Sequence, residues 1–412
     1  MPTELRRKPL PRMGEPAAEP GPEARPGAAT ERRPSPVLAL GFRPFFLLAG
    51  VMATTFIPLW LLVHFGKVTL PSRLYPASWH AHEMIFGFAV AVIAGFLLTA
   101  VRNWTNLPTP SGATLGALVV SWLIGRVAVF FDVLLPRGVS AALDLAFIPA
   151  FAVAIAIPIV KSKNWRNLGF VPLLSLLFLA NLAFHASGMW SARALRFALS
   201  VIVAIIVVVG GRVIPMFTAN ALKLTVKKRP WLDWASLASV GVVAVLELVP
   251  PAEKALAVAA IVAGALNGAR MSGWQPLATR KTPILWVLHV GYAWLAIGLV
   301  LQGVAVFVPQ WIKTAPMHVT AVGAIATLIL GMTTRVSLGH TGRMLAVPSS
   351  IAFSYVVLTV AVVLRGVAPL IAPSLYMWLL IASGTAWALA FAIFTFVYLP
   401  ILTTPRVDGK PG

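Results

Sequence analysis

The 412-residue sequence contains no cysteine. This absence excludes disulfides, iron–sulfur clusters, thiolate-ligated haem and covalently attached c-type haem, because each of them needs cysteine sulfur. Any bound transition metal must therefore have histidine, methionine or oxygen ligands. Charged residues are also scarce, at 11% of the chain, against about one quarter in soluble proteins. This composition excludes an ordinary soluble globular protein.

Apolar residues fill the chain instead, at 59% of the sequence with a mean hydropathy of +0.87. An α-helix of about 20 apolar residues crosses the roughly 30 Å hydrocarbon core of a bilayer. Runs of this length predict an all-α, polytopic membrane bundle of about twelve helices. The predicted limits are 43–64, 79–101, 112–131, 140–160, 168–187, 194–217, 231–249, 254–271, 283–306, 316–335, 346–367 and 373–400.

The basic residues indicate the orientation of the chain. A net charge of +21 would suggest nucleic acid binding in a soluble protein, but here we expect membrane lipids and no nucleic acid as partners. Basic clusters such as LRRKPLPR, KSKNWR, KLTVKKR, TRK and GHTGR fall on one side of the predicted bundle. The positive-inside rule then places both termini in the cytoplasm, as an even number of helices requires.

Two regions follow from composition. Residues 1–36 are rich in proline, glutamate, arginine and alanine, so they lack the apolar surface needed to fold, and we predict a disordered cytoplasmic tail. Residues 37–405 are predicted to form one twelve-helix transmembrane domain. The first apolar run is long enough to remain as a spanning helix rather than to act as a cleaved signal.

Five of the seven histidines are predicted near the outer ends of helices: His64, His80, His82, His185 and His318. At 100° per residue, His80 shares a face of the second helix with Glu83, and His82 points roughly the opposite way. An ionisable group inside a span costs roughly 2.5 kcal/mol or more, so each should have a partner or a function. The helix face that carries His80 could bind a flat porphyrin, pack closely against another helix or form part of a polar belt at the membrane interface. For His64, close to the water, we favour the interfacial belt.

A second polar group is predicted toward the cytoplasm. In GGRVIPMFTAN, Pro215 is expected to loosen the sixth helix beside Arg212 and Asn220. Arg335 and His340 reach the same side and could form an anion site, although anchoring to lipid headgroups explains such arginines equally well.

Three further ionisable residues lie on other helices. His289 is placed about 9 Å inside the ninth helix by the helical rise, too deep for a surface role. Asp144 and Glu247 are candidates for burial, but both also lie near predicted outer ends, where water could solvate them.

Several long strings in this chain resemble the NnrS family of bacterial membrane proteins. They are GFRPFFLLAG, WHAHEMIFGFAVAVIAGFLLTAVRNWT, GGRVIPMFTAN, HVGYAWL and HVTAVGAIATLILGMTTRVSLGHTGR, in this order. Their length and order make the signal specific, and the resemblance covers most of the chain beyond the tail. The seventh, eighth, eleventh and twelfth helices carry no recognised motif.

The resemblance implies a multi-pass protein of the bacterial inner membrane that contains haem b and copper. It also implies nitric oxide as a small-molecule ligand, a role in nitric oxide detoxification or the response to nitrosative stress, and an electron donor of unknown identity. Whether the protein is a haem-dependent oxidoreductase acting on nitric oxide stays open. The residues matching the family pattern are His80, His82, His185, His289, His318 and His340, with Glu83, Arg212, Asn220 and Arg335 as polar companions.

Physical reasoning ranks these residues. Haem in a helical bundle needs imidazoles from different helices at equal depth, which His80 and His318 provide. His82 and His185 are then better suited to copper, or to a second axial position.

A lower haem slot is a second arrangement. There His289 would be the axial ligand, and Arg102 or Arg212 would pair with the propionates.

Two other functions are compatible with the sequence. A twelve-helix transporter could bind a small anionic or metal-related substrate at a proline-broken sixth helix, with histidines carrying protons. A non-catalytic sensor or assembly factor could deliver metal or haem. The sixth helix lacks histidine, so the copper-ligating His-x-x-x-Tyr pattern of haem–copper oxidases is missing, and we do not expect oxygen reduction or proton pumping.

Overall fold

The computed structural model describes residues 35–186, 188–249 and 252–410. The described residues are 81% helical and contain no β-strand. The disordered tail predicted for residues 1–36 lies outside the described residues, except for Ser35 and Pro36.

Within the described residues, twelve helices are long and apolar enough to cross a membrane, which confirms the predicted all-α polytopic architecture. The largest difference from the predicted limits is five residues, at the ends of the sixth and tenth helices. The helices are α1 Phe42–His64, α2 Pro76–Thr105, α3 Gly112–Phe130, α4 Val139–Lys161, α5 Trp165–Ala186, α6 Ser191–Leu222, α7 Pro230–Leu248, α8 Glu253–Ser272, α9 Pro283–Phe307, α10 Thr314–His340, α11 Ser349–Ile371 and α12 Pro373–Thr403.

Four helices form the centre of the bundle. In α2, α6, α9 and α10, 78%, 56%, 61% and 67% of the most apolar segment is buried, against 44% or less in the other eight helices. Most successive helices pack against each other, and α12 packs against α1. These central helices carry the histidines at positions 80, 82, 289, 318 and 340. The five histidines therefore lie on helices that are covered mostly by other helices of the protein.

Buried polar contacts fix the packing of α12 on α1. The fully buried Arg43 guanidinium donates hydrogen bonds to the carbonyl oxygens of Leu402 at 3.0 Å and Thr404 at 2.7 Å. Trp387 Nε1 donates to the Ala53 carbonyl at 2.9 Å. Without water in the hydrocarbon core, such donors need protein acceptors, and these ones tie the last helix to the first.

Three stretches of the described helices are π-helical: Glu83–Ala89 in α2, Val319–Ala326 in α10 and Val363–Val367 in α11. The first follows His82 directly, and the second follows His318. The wider π turn changes which side chains share a helix face, and such turns are common at functional sites.

The predicted break of the sixth helix at Pro215 is wrong. α6 is helical without interruption from Ser191 to Leu222, with Pro215 inside it. Neighbouring helices cover this segment, so a missing backbone donor is tolerated without unwinding.

Candidate functional site

A cavity of about 670 Å³ lies among α1, α2, α6, α10, α11 and α12. Its lining is mostly apolar and includes the side chains of His64, His80 and His318. Residues from all three π-helical stretches line it, for example Met84, Ala321 and Arg365. Both its volume and its apolar walls with a few polar groups are typical of pockets that hold cofactors.

His318 is held in one tautomer. Its Nδ1 lies 2.7 Å from the carbonyl oxygen of Thr314, one turn earlier. A carbonyl oxygen only accepts hydrogen bonds, so Nδ1 carries the proton and Nε2 of the neutral ring keeps its lone pair. A histidine oriented in this way is ready to bind a metal ion through Nε2.

His80 is held by aromatic stacking. Its ring stacks on Trp60 with centroids 4.4 Å apart and planes at 29°. His64 stacks on the same indole at 5.0 Å, but His64 is exposed, whereas His80 is half-buried. The stacking positions the His80 ring at the cavity without using either ring nitrogen.

Cations surround one part of the cavity. Arg365 is 7% exposed, and its Nη1 has no hydrogen-bond partner among the described residues. Arg196 and Lys313 also line the cavity, and no aspartate or glutamate of the described part of the chain does. An anionic group of a ligand would therefore find positive charge and a free hydrogen-bond donor here.

A second polar centre lies beside His82, on the other side of α2. His82 Nε2 lies 3.0 Å from Asn181 Oδ1 and 3.2 Å from Asp144 Oδ2. His185 Nε2 lies 2.9 Å from the same Asp144 oxygen, and Asn181 Nδ2 donates to it at 2.8 Å. His82, Asp144 and Asn181 are buried, and His185 is largely buried.

Arg126 joins the two carboxylates of this centre. Its Nη1 donates to Glu83 Oε1 at 2.7 Å, and its Nη2 donates to Asp144 Oδ1. Glu83 Oε1 also lies 3.1 Å from Nδ1 of His82. Two carboxylates and one guanidinium leave one negative charge, which a single added cation would neutralise. Burial makes that neutralisation important, because uncompensated charge is costly in low dielectric.

The added cation could be a proton or a metal ion. The ligand atoms of His82, Asp144 and His185 lie within 4.8 Å of one another, the one such group of three found among the described residues. Two imidazole nitrogens and one carboxylate oxygen suit copper or zinc.

The structure corrects the predicted face of α2. Glu83 was expected beside His80, but it pairs with His82 and Arg126, while Met84 lines the cavity with His80. The π-helical turn starting at Glu83 is the reason, since its turns are wider than the 100° spacing assumes.

His289 and Arg335 lie apart from both centres. His289 is buried, with Nε2 at 2.9 Å from Thr218 Oγ1. Arg335 is 8% exposed, and its guanidinium lies 3.8 Å from the ring centroid of Phe217. Neither residue lines the cavity.

The remaining predicted residues also lie outside the two centres. Arg212 Nη1 donates to Asn167 Oδ1 at 2.9 Å, and Asn220 is exposed. His340 packs against Phe42 with centroids 5.7 Å apart. These positions are consistent with packing and with the ends of helices.

Sequence reasoning missed three site residues: Arg126, Asn181 and Arg365. It left open whether Asp144 is buried or solvated, and Asp144 is 2% exposed. Arg126 carried a usable signal, since it is a lone charge inside the apolar run WLIGRVAVFF. Asn181 carried none, because an uncharged amide in a span does not reveal its partner.

A comparison with known protein families agrees with this architecture. The family described as NnrS protein matches residues 36–406, nearly the whole chain. The chain belongs to the NnrS family. NnrS membership suggests a nitric-oxide-related membrane protein and is generally associated with metal or haem. A comparison with curated proteins finds no match.

Proposed function

We propose that this NnrS protein binds haem b and copper in the bacterial inner membrane, with both termini cytoplasmic, and that it binds nitric oxide in the response to nitrosative stress. The observation that carries the proposal is the apolar cavity where α2 and α10 present His80 and His318. Imidazoles from separate helices at one cavity can hold non-covalently bound haem.

The cavity residues fit a haem group. His80 and His318 would hold the haem iron through neutral imidazoles, and Arg365, with its unpartnered Nη1, would pair with a propionate. The apolar walls would cover the macrocycle. These features argue against His289 as the haem ligand and favour the upper of the two arrangements.

The His82 centre fits copper. His82, His185 and Asp144 would be its ligands, and a monovalent ion would balance the single negative charge left by Glu83, Asp144 and Arg126. Imidazole is a good ligand for copper, and Arg126 and Asn181 would orient Asp144 from outside the metal.

The chain's own residues prepare the cavity for a small uncharged ligand. Haem iron, when bound, supplies the position where nitric oxide binds. The Thr314 carbonyl holds His318 in its ligating tautomer, whereas no hydrogen bond to His80 is found among the described residues. His80 is therefore the less firmly held of the two imidazoles. Nitric oxide can enter from the lipid, because it is small and uncharged.

The transporter alternative loses its main support, because α6 is not broken at Pro215.

The proposal is tested on purified protein by quantifying haem and copper and by recording the absorption spectrum before and after reduction and nitric oxide addition. We expect a Soret band that shifts with nitric oxide in the wild type and in Val242→Phe, on an exposed helix face. Ala321→Phe, which fills the cavity, should lose the band. A colourless wild-type protein would overturn the proposal.

A further inference from the structure

A side chamber of about 160 Å³ adjoins the large cavity. It lies among α6, α7, α8, α9 and the start of α10, at the same end of the bundle as His80 and His318. Four residues line both spaces: Arg196, Leu199, Lys313 and Met317. These four side chains form a shared wall between the chamber and the cavity.

A few polar groups line this mostly apolar chamber, and one of them has no protein partner within the described ranges. Thr320 is 1% exposed, lines the chamber, and its Oγ1 has no hydrogen-bond partner among the described residues. Ser200 and Gln302 add a hydroxyl and an amide to the lining. A space of this volume has room for about five water molecules at roughly 30 Å³ each. One of them would give Thr320 Oγ1 its hydrogen-bond partner.

One carboxylate faces this chamber. Among the described residues that line either space, Glu247 is the only acidic one. Its Oε2 accepts a hydrogen bond from Arg196 Nε at 2.8 Å, and its side chain is 14% exposed. Lys313 Nζ donates to the Ala305 carbonyl at 2.9 Å. The linings from α8 and α9 contain no titratable residue, so the charged groups facing Glu247 across the chamber are Arg196 and Lys313.

We propose that this chamber is a water-filled route by which protons reach the large cavity, with Glu247 as its proton-exchanging carboxylate. The inference rests on the proposed function, because it assumes a redox group in the cavity. When a one-electron donor reduces the group in the cavity, the donor is oxidised and the cavity gains one negative charge in low dielectric. One proton from the chamber water, taken up by the ionised Glu247 carboxylate, restores the charge. Arg196, which lines both spaces, would then lose its ionic partner and face the cavity.

Cysteine accessibility tests the water-filled chamber without any cofactor. The chain has no native cysteine, so Ser200→Cys and Thr320→Cys each create a single thiol. We expect a small, charged methanethiosulfonate reagent to label both at least tenfold faster than Ala263→Cys, which is fully buried in packed helix. Lys67→Cys on the exposed loop is the positive control. Labelling of both chamber positions as slow as that of Ala263→Cys would overturn the inference.

Proton uptake tests the role of Glu247. We expect electrochemical reduction of the purified wild-type protein to take up protons from a weakly buffered medium, and Glu247→Gln to lose at least half of that uptake with its haem content unchanged. Glu253→Gln, at an exposed residue outside the chamber, should behave as wild type. Equal uptake by Glu247→Gln and wild type would contradict the assignment. Absence of haem from the wild type would instead contradict the proposed function, and the labelling result would still stand.

Discussion

His80 and His82 are separated by one residue on α2, yet they belong to two different polar centres. His80 lines the large cavity, and His82 lies buried against Asp144 and Asn181. Because the two histidines are two positions apart on one helix, the distance between the two centres is fixed by α2. A single short motif, WHAH, supplies an imidazole to each of them.

Replacing the two cavity histidines should have unequal effects. His318→Ala removes the ring that the Thr314 carbonyl fixes, so we expect most haem to be lost. His80→Ala removes a ring held by stacking on Trp60, so haem should remain at reduced affinity and bind nitric oxide faster. The haem content per chain measures the loss of haem, and stopped-flow spectroscopy measures the rate of nitric oxide binding. Equal haem loss in both variants would contradict the assigned asymmetry.

Arg365→Gln should weaken haem binding without changing the ligand set. Loss of a charge-assisted hydrogen bond costs about 1.5–3 kcal/mol, which corresponds to roughly 10–100-fold in dissociation constant. Haem titration of the apoprotein gives that constant. Arg212→Gln is the matched control, because Arg212 bonds Asn167 away from the cavity. A larger loss of haem affinity in Arg212→Gln than in Arg365→Gln would indicate that the propionates lie in the lower haem arrangement, near His289.

Asp144→Asn should remove copper and leave haem in place. The substitution takes away the carboxylate oxygen that both His82 and His185 face. Copper and haem quantification on the same preparation measures both effects. Asp132→Asn is the control, because Asp132 pairs with the exposed Arg73. Copper retained at the wild-type level in Asp144→Asn would exclude this centre as the copper site.

Arg126→Met should destabilise the folded protein. It leaves Glu83 and Asp144 as buried carboxylates without their cation, and breaking a buried pair in this way costs about 3–5 kcal/mol. Unfolding of the detergent-solubilised protein in increasing dodecyl sulfate measures the loss. Arg73→Met, in an exposed pair with Asp132, should cost at most about 1 kcal/mol. Similar losses in the two variants would show that the Arg126 network contributes little.

The sequence was sufficient to predict the helices. Apolar length alone gives all twelve spans, because the thickness of the hydrocarbon core sets the length of each run. Histidine position also indicated that His80 and His318 would lie near one depth, since each begins its helix from the same side.

The contacts of the site could not be predicted in the same way. The position of Glu83 depends on a π-helical turn, which the regular 100° spacing does not contain. Asp144 and Arg126 lie on different helices, so their ion pair follows from packing that one sequence does not reveal. Arg365 lies in a helix without a recognised motif, and only the cavity shows why a cation is buried there.

The most direct test of the central claim is haem per chain in the double variant His80→Ala/His318→Ala, measured by pyridine haemochrome. The control is His64→Ala/His289→Ala, which removes the exposed cavity histidine and the imidazole of the lower arrangement. We predict haem near the wild-type level in the control and none in the first variant. Haem retained by His80→Ala/His318→Ala, or lost from the control alone, would contradict the account.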